Sequence, residues 1–224
     1  PTPKQTITMK KKNISQIEDN ATHVYNNPAK MNSVRDKTQN INFITYMQGS
    51  NAGNLSYVQA TGDRGTWAAM AQFVGYGNIT ETNEWGDIIG SSAVLDLNVS
   101  GGYSYLLSDK WAGGVNGKFL YSNYAGYSSI ALAVDLGINY YHSVHDLSIS
   151  FVAANLGGQV TAFGDIGESL PIDLQLGLSK GLKKLHLRFH IMFYDMLHWN
   201  KDFYSPNGEI GGFQLFLNHI NHGA

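Results

Sequence analysis

From about Ile41 onward the chain alternates apolar and polar side chains with a period of two, the repeat of an extended strand with two chemically different faces. The clearest run is Ser128 to Tyr140. One face carries Ile130, Leu132, Val134, Leu136, Ile138 and Tyr140, and the other carries Ser129, Ala131, Ala133, Asp135, Gly137 and Asn139. Ala93 to Tyr105 repeats the arrangement, with Leu95, Leu97, Val99, Tyr103 and Tyr105 opposed to Asp96, Asn98, Ser100, Gly102 and Ser104. In Trp111 to Tyr121, Val115, Phe119 and Tyr121 oppose Asn116, Lys118 and the following Ser122. Further strands are predicted at Leu147 to Asn155, Ile172 to Ser179 and Leu185 to Asp195, with weaker ones at Ile41 to Met47, Leu55 to Ala60 and Thr66 to Tyr76. That makes about nine strands and almost no amphipathic helix, an all-β antiparallel fold.

The face opposite the apolar one decides what kind of β protein this is. A soluble sandwich turns its apolar face inward and wets the other with lysine and glutamate. Here the second face is glycine, serine, asparagine and alanine. Small neutral side chains suit the crowded interior of a transmembrane β-barrel, and the Leu/Ile/Val/Phe face is then left for membrane lipid. Trp67, Tyr76, Tyr103, Tyr105, Trp111, Tyr121, Tyr140 and Tyr141 fall near segment ends, where interfacial aromatic girdles belong. The links add to this: short ones at Gly62 to Gly65, Ser108 to Lys110, His142 to His145 and Lys180 to Lys184 alternate with longer ones at Gly77 to Ser91, Ser122 to Tyr127, Leu156 to Leu170 and Leu197 to Gly212. Such parity is expected of periplasmic turns and outer loops. It divides the sequence into an N-terminal segment, residues 1–40, that is periplasmic or plugs the barrel, and a barrel wall, residues 41–224.

Composition narrows the function. Charged residues are 14% of the 224, against about a quarter in soluble domains. A net charge of −2 provides no field that would draw nucleic acid. Without cysteine, disulfides, thiolate metal sites and thiol nucleophiles are excluded. Apolar runs are far shorter than the roughly 20 residues of a membrane helix.

Motifs that would carry chemistry are missing. A penicillin-binding type serine needs a lysine three positions on, and no serine here has one. There is no Gly-x-Ser-x-Gly elbow and no Lys-Thr-Gly, so no enzyme activity and no cofactor are expected. His186 and His190 share a strand face with Arg188 between them, a cation that opposes a metal ion, and His219 and His222 read as rim or lumen side chains; no metal site is expected. Asp96, Asn98, Asn116, Lys118, Asp135 and Asn139 lie on the polar faces and are the candidates for a lumen network, the aspartates paired with interior cations such as Lys118. Glu81, Glu84, Trp85 and Asp87 make an acidic link with an exposed aromatic, and with Asp165 and Glu168 they are the candidates for partner binding.

The stretch Gly65 to Val160 resembles the PorQ family, outer-membrane barrels of the type IX secretion system of Bacteroidetes, and more distantly the PorV and FadL-like barrels. Three phrases carry the resemblance: Gly117-Lys118-Phe119-Leu120-Tyr121-Ser122, the run from Tyr127 to Tyr140, and Asn155-Leu156-Gly157-Gly158-Gln159. Leu170 to Gly177 matches a later strand, and Asn13-Ile14-Ser15 followed by Asn27-Pro28-Ala29 matches the segment before the first strand. Lys10-Lys11-Lys12 departs from the family's apolar residue and two glycines. The resemblance implies a bacterial outer-membrane barrel of about fourteen strands, bacterial barrels having even counts. Nine strands and a tenth opening at Asn218 to Ala224 would leave the barrel incomplete at its C-terminal side. It further implies a non-enzymatic component of type IX secretion that docks the attachment-complex proteins PorZ, PorU and PorV through extracellular loops. Two alternatives stand beside it: a FadL-like channel for a hydrophobic small molecule, and a soluble β-sandwich binding module.

Overall fold

The computed structural model describes residues 26–34, 36–46, 49–124, 127–161, 170–182 and 187–197, and the backbone of 220–223. Its strands are β1 (Thr38–Thr45), β2 (Asn51–Thr61), β3 (Gly65–Thr82), β4 (Ile88–Leu106), β5 (Trp111–Tyr124), β6 (Tyr127–His142), β7 (Leu147–Thr161), β8 (Asp173–Leu182), β9 (Leu187–Phe193) and β10 (Ile220–Gly223). Each pairs antiparallel with its neighbours in sequence, giving one ten-stranded sheet in the order β1 to β10. Among the described residues β1 and β10 are not paired with each other, so these strands form an open meander. The nine expected strands are all present, most of them longer than the alternation marks, and the tenth opens where Asn218 to Ala224 suggested.

The two faces are inverted relative to a soluble sheet. A six-residue 3-10 helix, Pro28–Ser33, lies against β3, β4, β5 and β6, and the face it covers is the small, polar one. On that inner face Asn116 is 0% exposed and Asp135 2%, whereas the outward Leu132 and Leu136 are 51% and 46% exposed. Ser56, Ser100, Ser104, Asn139 and Ser150 are likewise buried, while Val99, Val115, Phe119, Val134, Ile138 and Phe151 stand out from the other face. Near the ends of β3 to β6 that face carries aromatics: Trp67 pairs with Tyr103, and the rings of Trp111 and Tyr140 lie 5.0 Å apart. Two members of the expected girdle sit elsewhere. A register shift between Gly75 and Gly77, the latter at φ +79°, turns Tyr76 so that its hydroxyl meets Asp96. Tyr141 pairs with the buried Ser148 and so belongs to the inner side.

The links correct the expected parity. At one end they are short, residues 62–64, 107–110, 143–146 and 183–186. At the other end they are 46–50, 83–87, 125–126, 162–172 and 194–219, so one of the supposedly long links is only two residues. What looked like loop at Gly77 to Ser91 is mostly strand. Glycine, serine and threonine hide the alternation there, but cross-strand pairing continues to Thr82 and Ile88. Since β2 stops at Asn51 opposite Gly75 and β5 stops at Asn123 opposite Leu95, Tyr76–Thr82 and Ile88–Val94 pair only with each other. They project as a two-stranded ribbon of roughly 23 Å, at about 3.3 Å per residue.

Candidate functional site

The inner face is built in rows, because residues paired across antiparallel strands share a side of the sheet. One row runs Thr66, Ser104, Gly114, Gly137 and Val152. The next toward the ribbon runs Ala68, Gly102, Asn116 and Asp135. Here the helix Pro28–Ser33 plugs the face, and the glycines explain how. A Cβ at Gly114 would lie 2.3 Å from the Pro28 carbonyl carbon, one at Gly137 2.5 Å from Asn27 Oδ1, and one at Gly102 2.3 Å from Met31 Cε. Three strands thus give up their side chains to form one trough.

The plug is self-capped and then tied down. Asn27 Oδ1 accepts the Ala29 N–H at 3.0 Å, and Pro28 supplies a φ already suited to the first helical position. Asn32 bridges two strands, accepting from Thr66 Oγ1 at 2.6 Å and donating to Ser104 Oγ at 2.8 Å, while Ser104 donates to Ala29 O at 3.2 Å. Met31 and Val34 join Val58, Ala68 and Met70 in a small apolar core. Removing the Asn32 side chain by Asn32→Ala is expected to destabilise by about 1–3 kcal/mol, since it leaves the buried Thr66 hydroxyl without its acceptor and takes a donor from Ser104; urea unfolding of the detergent-solubilised protein measures it.

Above the trough sits a buried charged pair. Lys118 Nζ stands 2.7 Å from Asp135 Oδ2 and donates to Asn155 Oδ1 at 3.1 Å. Asp135 also accepts the Asn155 N–H at 2.9 Å and the Asn116 amide at 3.4 Å. Asn155 is in the left-handed region at φ +58°, where β7 places Ala154 and Asn155 against a single residue, Asp135, of β6. The carboxylate therefore pins a β-bulge as well as a lysine. Of the six lumen candidates, Asn116, Lys118 and Asp135 come together. Asn139 makes a separate cluster, accepting from Ser148 and Ser150 at 3.1 and 2.6 Å. Among the described residues Asp96 meets no cation: it accepts from Tyr76 at 3.0 Å and from Ser122. Asn98 keeps a buried Oδ1 that meets no donor among the described residues. Sequence reasoning does not single out Asn155 as a site residue; the break in alternation at Asn155-Leu156-Gly157-Gly158, led by a residue that tolerates positive φ, is the signal that could have found it.

Of the partner-binding candidates, Glu84, Trp85 and Asp87 form the ribbon tip, and Glu81 lies in β3 opposite Gly90. Asn83 Oδ1 accepts the N–H groups of Trp85 and Asp87 at 3.0 and 2.8 Å, and Gly86 at φ +88° completes the turn. A turn so closed on itself holds Trp85 outward, 84% exposed, beside the exposed Ile88 and Ile89. Asp165 and Glu168 lie outside the described residues, as do His186, His219, Lys10 to Lys12 and Asn13 to Ser15. His190 contacts Ser179 Oγ at 2.7 Å, and Arg188 is engaged by Asp146 at 2.8 and 2.9 Å. No group of three potential metal-binding side chains occurs among the described residues. No helix among them is long and apolar enough to cross a membrane, which leaves strands as the only described elements that could. Neither a family model nor a curated protein matches the sequence.

Proposed function

We propose that this protein forms the wall of a bacterial outer-membrane β-barrel, plugged by its own Asn27–Ser33 segment, that works without chemistry of its own in protein secretion. The observation that carries the membrane part is the inversion of the sheet: polar side chains are buried and large apolar ones exposed in four consecutive strands, β4 to β7. In water that arrangement would expose an apolar surface well beyond the few hundred Å² usual for a monomer; in lipid it is what the solvent asks for. The reading requires the edges β1 and β10 to be covered within the membrane, by strands outside the described residues or by another protein. A soluble sandwich would need a second sheet, and the described strands belong to one.

The type IX assignment rests on the family phrases, and the ribbon gives it a surface. A rigid turn presenting Trp85 with acidic neighbours is a pre-organised anchor of the kind that dominates interfaces. Co-isolation from detergent extracts with the attachment-complex subunits, lost in Trp85→Ala while detergent partition is kept, is the expected result; an unchanged yield would remove the ribbon from the docking role. The membrane reading has its own test. Leu132→Lys, on the outer face in mid-strand, is expected to cost about 2–4 kcal/mol in a bilayer. Lysine on a water-facing strand is nearly neutral, so an unchanged unfolding midpoint in liposomes would refute a lipid-facing wall.

A further inference from the structure

On the ribbon side of the Lys118–Asp135 pair the inner face leaves a cavity of about 420 Å³. It belongs to the two rows nearest the ribbon, Val74, Asp96, Ser122 and Ser129 in one, Gln72, Asn98, Leu120 and Ala131 in the other. Its size falls in the range of small-molecule sites, roughly 300–1,000 Å³. Its wall is mixed, more apolar than polar, and carries one carboxylate, Asp96.

The charge there is negative, since Asp96 is the ionised side chain among the described lining residues. A carboxylate offers about four lone-pair positions. Asp96 has two hydroxyl donors, Tyr76 and Ser122, both neutral. No lysine or arginine occurs anywhere from Gly65 to Asp109, so β3 and β4 bring the site no cation. On β5 the cation Lys118 is committed to Asp135 and Asn155. Beside Asp96 on β4, Asn98 Oδ1 is a further buried acceptor with no donor among the described residues. Water can satisfy an amide oxygen but brings no charge, and a calcium ion would want six or more oxygens, several of them anionic. The group that answers a carboxylate and an orphaned amide oxygen at once is a cation with several N–H donors. Beside these groups on the same face, Val74, Leu120 and Ala131 offer an apolar surface to whatever body the cation carries.

From this we infer that the cavity binds a small primary ammonium compound with a short hydrocarbon body, its nitrogen held by Asp96 and Asn98. The site is independent of the secretion role and survives its failure. Calorimetric titration of the purified full-length protein in detergent, using n-butylamine, n-butanol and sodium butanoate at neutral pH, separates the contributions of charge and body. Saturable binding is expected for butylammonium alone, weakened about tenfold or more by Asp96→Asn, an isosteric change that removes the charge. Absence of saturable butylammonium binding, equal binding of butanol or butanoate, or undiminished binding by Asp96→Asn would overturn the inference, as would saturable binding of calcium chloride. Should Asp96→Asn fail to fold, as judged by heat-modifiable gel mobility, Leu120→Phe takes its place. It fills the apolar part and is expected to abolish butylammonium binding, and retention of full affinity would be equally fatal.

Discussion

Gly114→Val is expected to unseat the plug and to lower stability. The added Cβ would meet the Pro28 carbonyl carbon and oxygen at 2.3 and 2.4 Å and the Ala29 nitrogen at 2.6 Å. All three are backbone atoms, so no side-chain rotation relieves the contact, and overpacking that moves backbone costs about 1–3 kcal/mol or more. To that is added whatever the displaced plug contributed: the burial of Met31 and the bonds of Asn32 to Thr66 and Ser104. The internal control is Gly117→Ala on the same strand. Gly117 faces outward, its nearest atom to a new Cβ is Gly101 O at 3.8 Å, and the change is expected to be neutral or slightly stabilising. Limited proteolysis near residues 26–34, together with urea midpoints, distinguishes the two. Equal midpoints would mean that the trough does not hold the plug.

Asp135→Ala is the second large effect, expected at about 3–5 kcal/mol, because it leaves the Lys118 ammonium unpaired on an inner wall. The side chain of Lys118 is only 12% exposed and that of Asp135 3%, so neither charge is rescued by bulk water. Asp135 also holds the Asn155 N–H, so the bulge in β7 loses its fastening at the same time. The double variant Lys118→Met/Asp135→Leu removes both charges and is expected to lose less than Asp135→Ala alone. A double variant that is worse than the single, measured by urea unfolding in detergent, would show that the ion pair is not what the carboxylate serves.

How much of this was legible in the sequence follows from where a period of two is informative. Ser128 to Tyr140 announces both faces because Leu, Val and Ile alternate with Ser, Ala and Asp, and β6 has the faces so marked. Tyr76 to Val94 does not, because Gly77, Gly90, Ser91 and Ser92 carry little hydrophobic contrast, so a projecting ribbon read as a loop. The lumen candidates were found as inward polar positions, but which of them touch depends on register. Asp135 meets Lys118 and Asp96 does not, since Asp96 pairs with Ser122, four residues along β5. The bulge at Asn155 and the inward turn of Tyr76 are local departures from alternation, and alternation cannot place them. The trough was invisible for a different reason: Gly102, Gly114 and Gly137 are separated in sequence, and only the pairing of β4, β5 and β6 brings them under one helix.

The plug also sets an order of events in folding. Every strand of the sheet pairs with its sequence neighbour, so the meander from β1 to β7 can grow hairpin by hairpin through short closures. The helix Pro28–Ser33 cannot share in that local growth, because its seat is assembled from β3 to β6 and its partner Ser104 lies 72 residues beyond Asn32. It is therefore expected to dock after the wall that receives it, as a closing latch. Interactions formed after the transition state mainly slow unfolding and leave the folding rate alone. The glycine trough accordingly governs how long the finished wall lasts more than how fast it is made.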